Sequence, residues 1–220
     1  TDWMVPGNTP NILDNMIAKG EIEPTVFVTM GNHFTPGAPG RLPSYNAQNA
    51  ADNLVQSILP FIEANFNVSD QPQGRGVGGF SMGGFGALHT GLKYPDTFGK
   101  IVALSSALIV EEVIQMKEGQ GNEIANYDYY RLMFGPPETL SYSENNPKVL
   151  IRNLIKDQNT IPGIFMACGT EDFLLEQNRE FVEFLRESNV EHHYIEDEGN
   201  HNFDFWNKYL EVAVKWLLER

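Results

Sequence analysis

The sequence predicts an α/β fold in which helices cover both faces of a mostly parallel sheet. Short apolar segments alternate with amphipathic helical segments along most of the chain, a pattern typical of parallel sheets. The predicted strand Lys100–Ser105 is apolar enough to be covered on both faces. The third observation is the glycine-rich stretch Gly74–Leu88, where a strand passes directly into a helix.

The first predicted element is a helix over Thr9–Lys19. Thr9 is the expected N-cap, Pro10 suits the first helical position, and Gly20 follows the end. Three segments come next: the strand Thr25–Met30, the Gly/Pro-rich loop Gly31–Pro43, and the helix Asn46–Asn65 with an apolar stripe interrupted by Pro60. The loop is long and irregular, and we expect it to line a site.

The rest of the chain is predicted to alternate strands with helices. In order, the elements are the strand Arg75–Phe80, the helix Met82–Tyr94, the strand Lys100–Ser105, short helices near Val113 and Leu150, the strand Gly163–Cys168, the helix Leu174–Ser188, the strand His192–Ile195, the loop Glu196–Asn202 and the helix Phe203–Leu218. Between Val110 and Thr160 the pattern loosens around the aromatic segment Tyr127–Phe134. This segment is either an insertion that caps a site or an ordinary peripheral region.

Composition limits the function classes. The 220 residues fit one domain, and 41% hydrophobic and 11% aromatic residues are typical of a globular protein. A net charge of −14 disfavours nucleic acid and anionic membranes as partners. The single cysteine, Cys168, excludes an intrachain disulfide and a cysteine-based zinc site. Cys168 lies in an apolar strand, so we expect it to be a small buried side chain.

A nucleophile is predicted at Ser81, in the GxSxG pattern Gly79–Gly83. This pattern makes a sharp turn between strand and helix, with the serine in a strained conformation. Glycines are expected two residues on either side, because only they leave room for strand and helix to pass so closely. The turn lifts the hydroxyl out of the sheet. It also places the N–H of Met82 and the positive end of the helix where an oxyanion would form.

A serine nucleophile needs a base and an orienting carboxylate, and in parallel sheets such groups follow the carboxyl ends of strands. His201 follows the last predicted strand, whereas the other histidines lie in a helix, in a strand or before the nucleophile. Asp172 follows the preceding strand and is the expected acid. Its rivals are Glu171 and, further behind, Asp197, Glu198 and Asp204.

Aromatic residues around this predicted site are candidates for a substrate pocket. A flat apolar slot could be formed by Phe80 beside the nucleophile, Phe85 one turn along its helix, Phe34 on the early loop and the segment Tyr127–Phe134. For each of them the alternative is a position in the core.

The sequence resembles the esterase D group of α/β-hydrolase esterases, in particular its carbohydrate esterases, which include feruloyl and acetyl xylan esterases. The resemblance rests on Asp2-Trp3 with the following helix, on Gly78–Gly86, on Ala167–Asp172, and on Gly199–Phe203 with Trp206. It implies the α/β-hydrolase fold, the triad Ser81, Asp172 and His201, and a substrate-binding role for Trp3. The segment Tyr127–Gly135 looks more like that of tributyrin-type esterases.

One family feature is missing from the sequence. In the family a His-Gly loop just upstream of the position of Trp3 supplies a second oxyanion donor, and the first strands of the sheet also precede it. We therefore expect this sequence to be an N-terminally incomplete catalytic domain. We expect the sheet edge beside the Thr25–Met30 strand to be open, or filled by chain outside the given sequence.

The resemblance implies a serine carboxylic-ester hydrolase that needs no metal or organic cofactor and acts on feruloyl or acetyl esters of plant polysaccharides. Three alternatives stay open: a thioesterase like the S-formylglutathione hydrolases, a short-chain aliphatic esterase, and a non-catalytic carbohydrate-binding relative. A secreted location fits action on polysaccharides, and a cytoplasmic one fits the other enzymes. Oligomeric state is left undetermined.

Overall fold

The structure, a computed structural model, describes residues 3–29, 50–121 and 126–219. Within these ranges four parallel strands form one sheet in the order β1-β2-β3-β4, so that neighbours in the sheet are also neighbours in the chain. The strands are β1 (Gly76–Phe80), β2 (Lys100–Leu104), β3 (Gly163–Gly169) and β4 (His192–Asp197). All four lie where strands were predicted.

Helices follow and connect the strands. Their bounds are α1 (Thr9–Ala18), α2 (Ala50–Asn53), α3 (Leu59–Asn65), α4 (Met82–Lys93), α5 (Val110–Gln115), α6 (Tyr127–Phe134), α7 (Pro147–Lys156), α8 (Leu175–Glu187) and α9 (Phe203–Leu218), with 3-10 turns at Pro72–Gly74 and Pro137–Thr139. The predicted helices other than Asn46–Asn65 agree with these bounds to within a residue or two, and α9 matches its prediction at both ends. No helix in the described ranges is both long enough and apolar enough to span a bilayer.

The two faces of the sheet are buried against different helices, because successive side chains of a strand point to opposite faces. On β2, Ile101 and Ala103 pack in a cluster with side chains of α4, α7 and α8. Val102 and Leu104 pack in a second cluster with side chains of α9. Helix α1 lies outside α9 and packs against Leu210. The sheet is therefore covered on both faces, as predicted.

The predicted strand Thr25–Met30 is wrong for the part that the structure describes. Residues 23–29 have no regular secondary structure, and Val26, Phe27 and Val28 are each 41–44% exposed. Alternating apolar residues become a strand only where a neighbouring strand pairs with them. Strand β1 is an edge strand of the described sheet, and no described segment pairs with its outer side. Met30 and the predicted loop Gly31–Pro43 lie outside the described residues.

The other N-terminal helices are confirmed with local differences. Asn8, with a φ of 48°, is the N-cap of α1 in place of the predicted Thr9. The predicted helix Asn46–Asn65 is described from residue 50 and contains a π-helical turn over Leu54–Ile58. Pro60 has no N–H to continue the α-helical pattern. The preceding Leu59 N–H bonds to the carbonyl of Leu54, five residues back.

The chain between β2 and β3 forms α5, α6 and α7, and the aromatic segment predicted there is the helix α6. Met133 and Phe134 of α6 are buried in the same cluster as Ile101 of the sheet. The C-terminal half of α6 is thus part of the main core. A role of residues 110–160 as a cap over the site stays a prediction.

The turn between β1 and α4 allows no side chain at Gly79. A Cβ there would lie 2.0 Å from the carbonyl oxygen of Gly83, closer than such atoms approach in proteins. At Gly83 itself, a Cβ would meet nothing within 4 Å. The prediction that both glycines are needed for space is therefore wrong for Gly83, which contributes its backbone to the close approach.

This difference predicts opposite effects of the same substitution at two positions. Gly79→Ala is expected to lower the free energy of unfolding by about 1–3 kcal/mol, because the turn must open to admit the new methyl group. Gly83→Ala is the matched control and is expected to be neutral or stabilising by up to about 1 kcal/mol, since alanine favours the helix. Urea denaturation followed by circular dichroism measures both, and equal stabilities would contradict the steric argument.

Candidate active site

Ser81 lies on the turn from β1 into α4, with a φ of 56° and a ψ of −122°. Two backbone hydrogen bonds hold this strained conformation. The Ser81 N–H donates to the Leu104 carbonyl at 2.9 Å, and the Ala107 N–H donates to the Ser81 carbonyl at 2.9 Å. The end of β2 and the loop that follows it therefore fix both the N–H and the carbonyl of Ser81.

Helix α4 begins directly after Ser81, as the GxSxG pattern predicts. The N–H groups of Gly84 and Phe85 bond to the Ser81 carbonyl at 3.0 and 3.2 Å. The first N–H groups of a helix have no partner within it, and they carry the positive end of the helix dipole. Met82 is the first residue of α4, so its N–H is one of these groups. Its role as an oxyanion donor stays a prediction.

His201 lies between β4 and α9, and its imidazole is within hydrogen-bonding distance of both predicted partners. Nε2 is 2.9 Å from Oγ of Ser81, and Nδ1 is 2.9 and 3.0 Å from the two carboxylate oxygens of Asp172. A carboxylate only accepts hydrogen bonds, so the proton of the neutral imidazole belongs on Nδ1. Nε2 is then free to accept the proton of the Ser81 hydroxyl.

Asp172 follows β3 and is buried, with 5% of the residue exposed. Its Oδ1 also accepts the N–H of Leu174 at 2.9 Å. Burial raises the pKa of this carboxyl, but hydrogen bonds from His201, from the Leu174 N–H and from the Ser105 hydroxyl lower it by more. The pKa therefore lies below its usual value, and Asp172 is an anion at neutral pH.

Two rival carboxylates, those of Glu171 and Asp197, accept hydrogen bonds from groups other than the imidazole of His201. Glu171 accepts the N–H of Gly199 at 2.6 Å and the hydroxyl of Thr170 at 2.6 Å. Glu171 thus ties the end of β3 to the loop that carries His201. Asp197 accepts hydrogen bonds from Lys208 and Tyr209, which lower its pKa to about 2. Of these three carboxylates, Asp172 alone is hydrogen-bonded to the imidazole.

Ser105, at the end of β2, is a site residue that the sequence reasoning missed. It is fully buried, has a φ of 45°, and accepts the Trp206 Nε1–H at 3.0 Å. Its hydroxyl also helps to lower the pKa of the Asp172 carboxyl. Ser105 therefore bonds to the buried indole of α9 and favours the ionised form of the carboxylate beside His201. The signal in the sequence was a serine directly after an apolar strand that neighbours the nucleophile strand.

The loop after β2 is itself held from α8. Asn178, which is fully buried, accepts the Ser106 N–H at 3.1 Å and donates to the Ser106 carbonyl at 2.9 Å. Because the N–H and the carbonyl of Ser106 are both bonded to this one side chain, the backbone of the loop is fixed directly after Ser105. The same loop bonds to Ser81.

Two aromatic rings contact the imidazole of His201. The Trp206 ring is buried and meets it edge to face, with ring centroids 4.9 Å apart. The Phe173 ring lies 4.5 Å from it and is 72% exposed. Phe173 was not among the predicted site residues. The signal available was an apolar residue directly after the expected acid, in an otherwise polar turn.

The four predicted substrate contacts differ in their positions. Phe85 is fully buried against Phe134, at a centroid distance of 5.1 Å, so its position does not support a substrate contact. Phe80 is stacked on Trp206 at 4.3 Å and meets Trp3 edge to face at 4.7 Å. Phe80 and Trp3 are partly buried, and their role in substrate binding stays a prediction. Phe34 lies outside the described residues.

Metal ligation finds no support in the parts of the chain that the structure describes. Within residues 3–29, 50–121 and 126–219, no three His, Cys, Asp or Glu side chains are grouped as metal ligands would be. Cys168 is fully buried in β3, and burial raises the pKa of its thiol to about 12. The thiol therefore stays protonated at neutral pH.

Comparison with known proteins identifies the family. The model of the Esterase family matches residues 1–217 of the chain. The chain belongs to the Esterase family. An acetyl esterase of Caldicellulosiruptor saccharolyticus is 41% identical over 160 residues, which are 73% of this chain and 60% of that protein. The esterase-family chain thus spans less than two thirds of this relative's length.

A second relative and a solved structure agree with this assignment. The endo-1,4-β-xylanase/feruloyl esterase of Xylanibacter ruminicola is 25% identical over 223 residues, covering 100% of this chain and 24% of that protein. A solved ferulic acid esterase superposes with a TM-score of 0.75 at 22% identity, covering 99% of this chain and 79% of its own. The predicted α/β-hydrolase fold is confirmed.

The hydrogen bonds of the two neighbouring carboxylates predict different effects of neutralising each one. Asp172→Asn is expected to lower kcat by about 10³–10⁴-fold, because the amide would favour the wrong imidazole tautomer. Glu171→Gln keeps an acceptor for the Gly199 N–H and is expected to lower kcat less than about fivefold. Initial rates on a p-nitrophenyl ester measure both, and a larger loss in Glu171→Gln would mean that Glu171 is the acid.

Proposed function

We propose that this chain is a serine carboxylic-ester hydrolase in which Ser81, His201 and Asp172 act as a catalytic triad. The observation that carries the proposal is the continuous hydrogen-bonded path from Oγ of Ser81, through both ring nitrogens of His201, to the buried carboxylate of Asp172. This is the arrangement of nucleophile, base and orienting acid that acyl transfer requires. Membership of the Esterase family supports the same reaction.

In the first half of the reaction Oγ of Ser81 attacks the ester carbonyl carbon while Nε2 of His201 takes the hydroxyl proton. The carbonyl oxygen becomes an oxyanion beside the start of α4. When this intermediate collapses, the bond to the leaving alcohol breaks and Nε2 returns the proton to the departing oxygen. The acyl group then remains on Ser81 as an ester.

The second half uses the same groups on water. His201 takes a proton from a water molecule, whose oxygen attacks the acyl carbon. Collapse releases the carboxylic acid, and the proton returns to Oγ of Ser81. Asp172 stays ionised in both halves, since its role is to hold the imidazole tautomer and to stabilise the imidazolium that forms twice in each cycle.

In this proposal the oxyanion is stabilised at the start of α4, where Met82, the first residue of the helix, contributes its N–H as a donor. Such a donor is worth about 10²–10³-fold in kcat when it acts in a site closed to water. The strained turn at Ser81, directly before α4, supports this assignment, since the hydroxyl and this N–H belong to adjacent residues.

For the substrate we propose acetyl or feruloyl esters of plant polysaccharides. The acetyl esterase of Caldicellulosiruptor saccharolyticus and the xylanase/feruloyl esterase of Xylanibacter ruminicola support this class by their names. Among the contacts of His201 with described residues, Asp172 is the one charged side chain, which is consistent with neutral esters. No described observation favours the thioesterase or the non-catalytic alternative.

If the three side chains act as a unit, their removal is not additive. Ser81→Ala and His201→Ala are each expected to lower kcat by at least about 10⁴-fold, and the double variant should add little to either loss. Hydrolysis of p-nitrophenyl acetate with purified variants measures this, with circular dichroism as the control for folding. A folded Ser81→Ala protein with near wild-type turnover would refute the triad.

The acyl group is decided by comparing esters. We expect the highest kcat/KM on acetylated xylan or methyl ferulate, and a lower value on p-nitrophenyl butyrate after correction for its more reactive leaving group. S-formylglutathione serves as the thioester comparison. Activity confined to short aliphatic esters would refute the polysaccharide-ester proposal and leave the triad untouched.

A further inference from the structure

Phe173 presents an exposed aromatic ring at the candidate active site. The residue is 72% exposed, although a phenylalanine stabilises a fold by being buried. Its described ring contact is with His201, at a centroid distance of 4.5 Å and an interplanar angle of 48°. Its neighbours Asp172 and Leu174 are both buried, at 5% exposure each. The turn after β3 therefore buries its flanking residues and turns this one ring outward beside the imidazole.

The contact with His201 indicates which part of a substrate the ring would meet. In the proposed reaction Nε2 delivers a proton to the oxygen of the leaving alcohol, so that oxygen must lie within hydrogen-bonding distance of Nε2. The carbon atoms attached to it then lie one or two bonds further from the imidazole. A ring in contact with the same imidazole is placed to touch these carbon atoms.

The chemistry around the ring selects among leaving groups. An exposed phenyl face attracts flat apolar surface, such as the C–H face of a sugar ring. The adjacent Glu171 is an exposed carboxylate whose hydrogen bonds lower its pKa, so it stays ionised and repels an anionic leaving group. A neutral alcohol that is built on a ring satisfies both conditions.

We propose that Phe173 forms one wall of a leaving-group site, which binds the ring of a neutral cyclic alcohol such as the sugar of a polysaccharide ester. This proposal rests on the proposed function and adds a residue that recognises the leaving group. The competing role is structural, in which Phe173 only supports the imidazole of His201. That role would affect every substrate equally, because all of them need the same base.

Two acetate esters separate these roles. Monoacetylated methyl β-D-xylopyranoside has a cyclic leaving group, and 2,2,2-trifluoroethyl acetate has a small acyclic one. Both form the same acetyl-enzyme, so deacylation is common to them and differences in kcat/KM arise before the alcohol departs. Each variant is compared with wild type on the same ester, which cancels the intrinsic reactivity of that ester.

The variants are Phe173→Ala, which removes the ring, and Phe173→Tyr, which keeps it. Phe61→Ala is the matched control, since Phe61 is also a largely exposed phenylalanine, at 62%, on helix α3. Thermal unfolding of each variant checks that the fold is kept.

We expect Phe173→Ala to lower kcat/KM on the xyloside acetate by roughly tenfold, from the apolar contact that is lost, and on trifluoroethyl acetate by less than about twofold. Phe173→Tyr and Phe61→Ala should stay within about twofold of wild type on both esters. Equal losses on the two esters in Phe173→Ala would overturn the leaving-group site. The leaving-group site would also be overturned if the wild-type protein hydrolysed trifluoroethyl acetate but not the xyloside acetate.

Failure of the underlying function gives a different result. If wild type hydrolyses neither these two acetates nor methyl ferulate faster than Ser81→Ala, the proposed esterase activity is refuted, and the leaving-group site with it. If wild type is active and Ser81-dependent but insensitive to the Phe173→Ala change on the xyloside acetate, only the leaving-group site is refuted.

Discussion

The strained backbone of Ser81 is the constraint on which the candidate site depends. A non-glycine residue in this conformation costs about 1–3 kcal/mol, and the surrounding structure has to hold it there. It is held by two hydrogen bonds, one to Leu104 at the end of β2 and one from Ala107 in the loop that follows. Between these two anchors lies Ser105, which accepts the Trp206 Nε1–H of α9 and helps to lower the pKa of Asp172. The end of one buried strand therefore positions the proposed nucleophile and contacts α9, which follows the loop that carries His201.

The fold could be predicted where a local pattern and its tertiary setting agree. Strand β1 and helix α4 followed from the GxSxG pattern, and α9 followed from an amphipathic period. In the structure Asn202 caps α9 by accepting the N–H groups of Asp204 and Phe205. The strand predicted at residues 25–29 was wrong because a strand depends on a partner strand. An alternating pattern of apolar residues cannot show whether that partner is present. The prediction for Gly83 was wrong for a similar reason. A glycine in a motif does not show whether a side chain at that position would clash, and at Gly83 a Cβ would meet nothing within 4 Å.

The ionisable residues of the candidate site could be predicted from the sequence, but most of its aromatic residues could not. The carboxyl ends of parallel strands share one edge of the sheet, so the spacing of Ser81, Asp172 and His201 was enough to bring them together. Proximity in sequence to Ser81 was a poor guide to aromatic contacts, because Phe85 lies on the side of α4 that faces the core. Phe173 and Ser105 lie far from Ser81 in sequence and were missed.

The sequence separations within the hydrogen-bonded path also bear on how the protein folds. Asp172 and His201 are 29 residues apart, whereas Ser81 and His201 are 120 residues apart. Closing so long a loop is entropically costly and follows the formation of local structure. The turn at Ser81 needs only β1, α4 and β2, but the imidazole reaches it after β4 and α9 have docked. Recovery of catalytic turnover during refolding would therefore time the docking of α9, a step that helix content alone would not resolve.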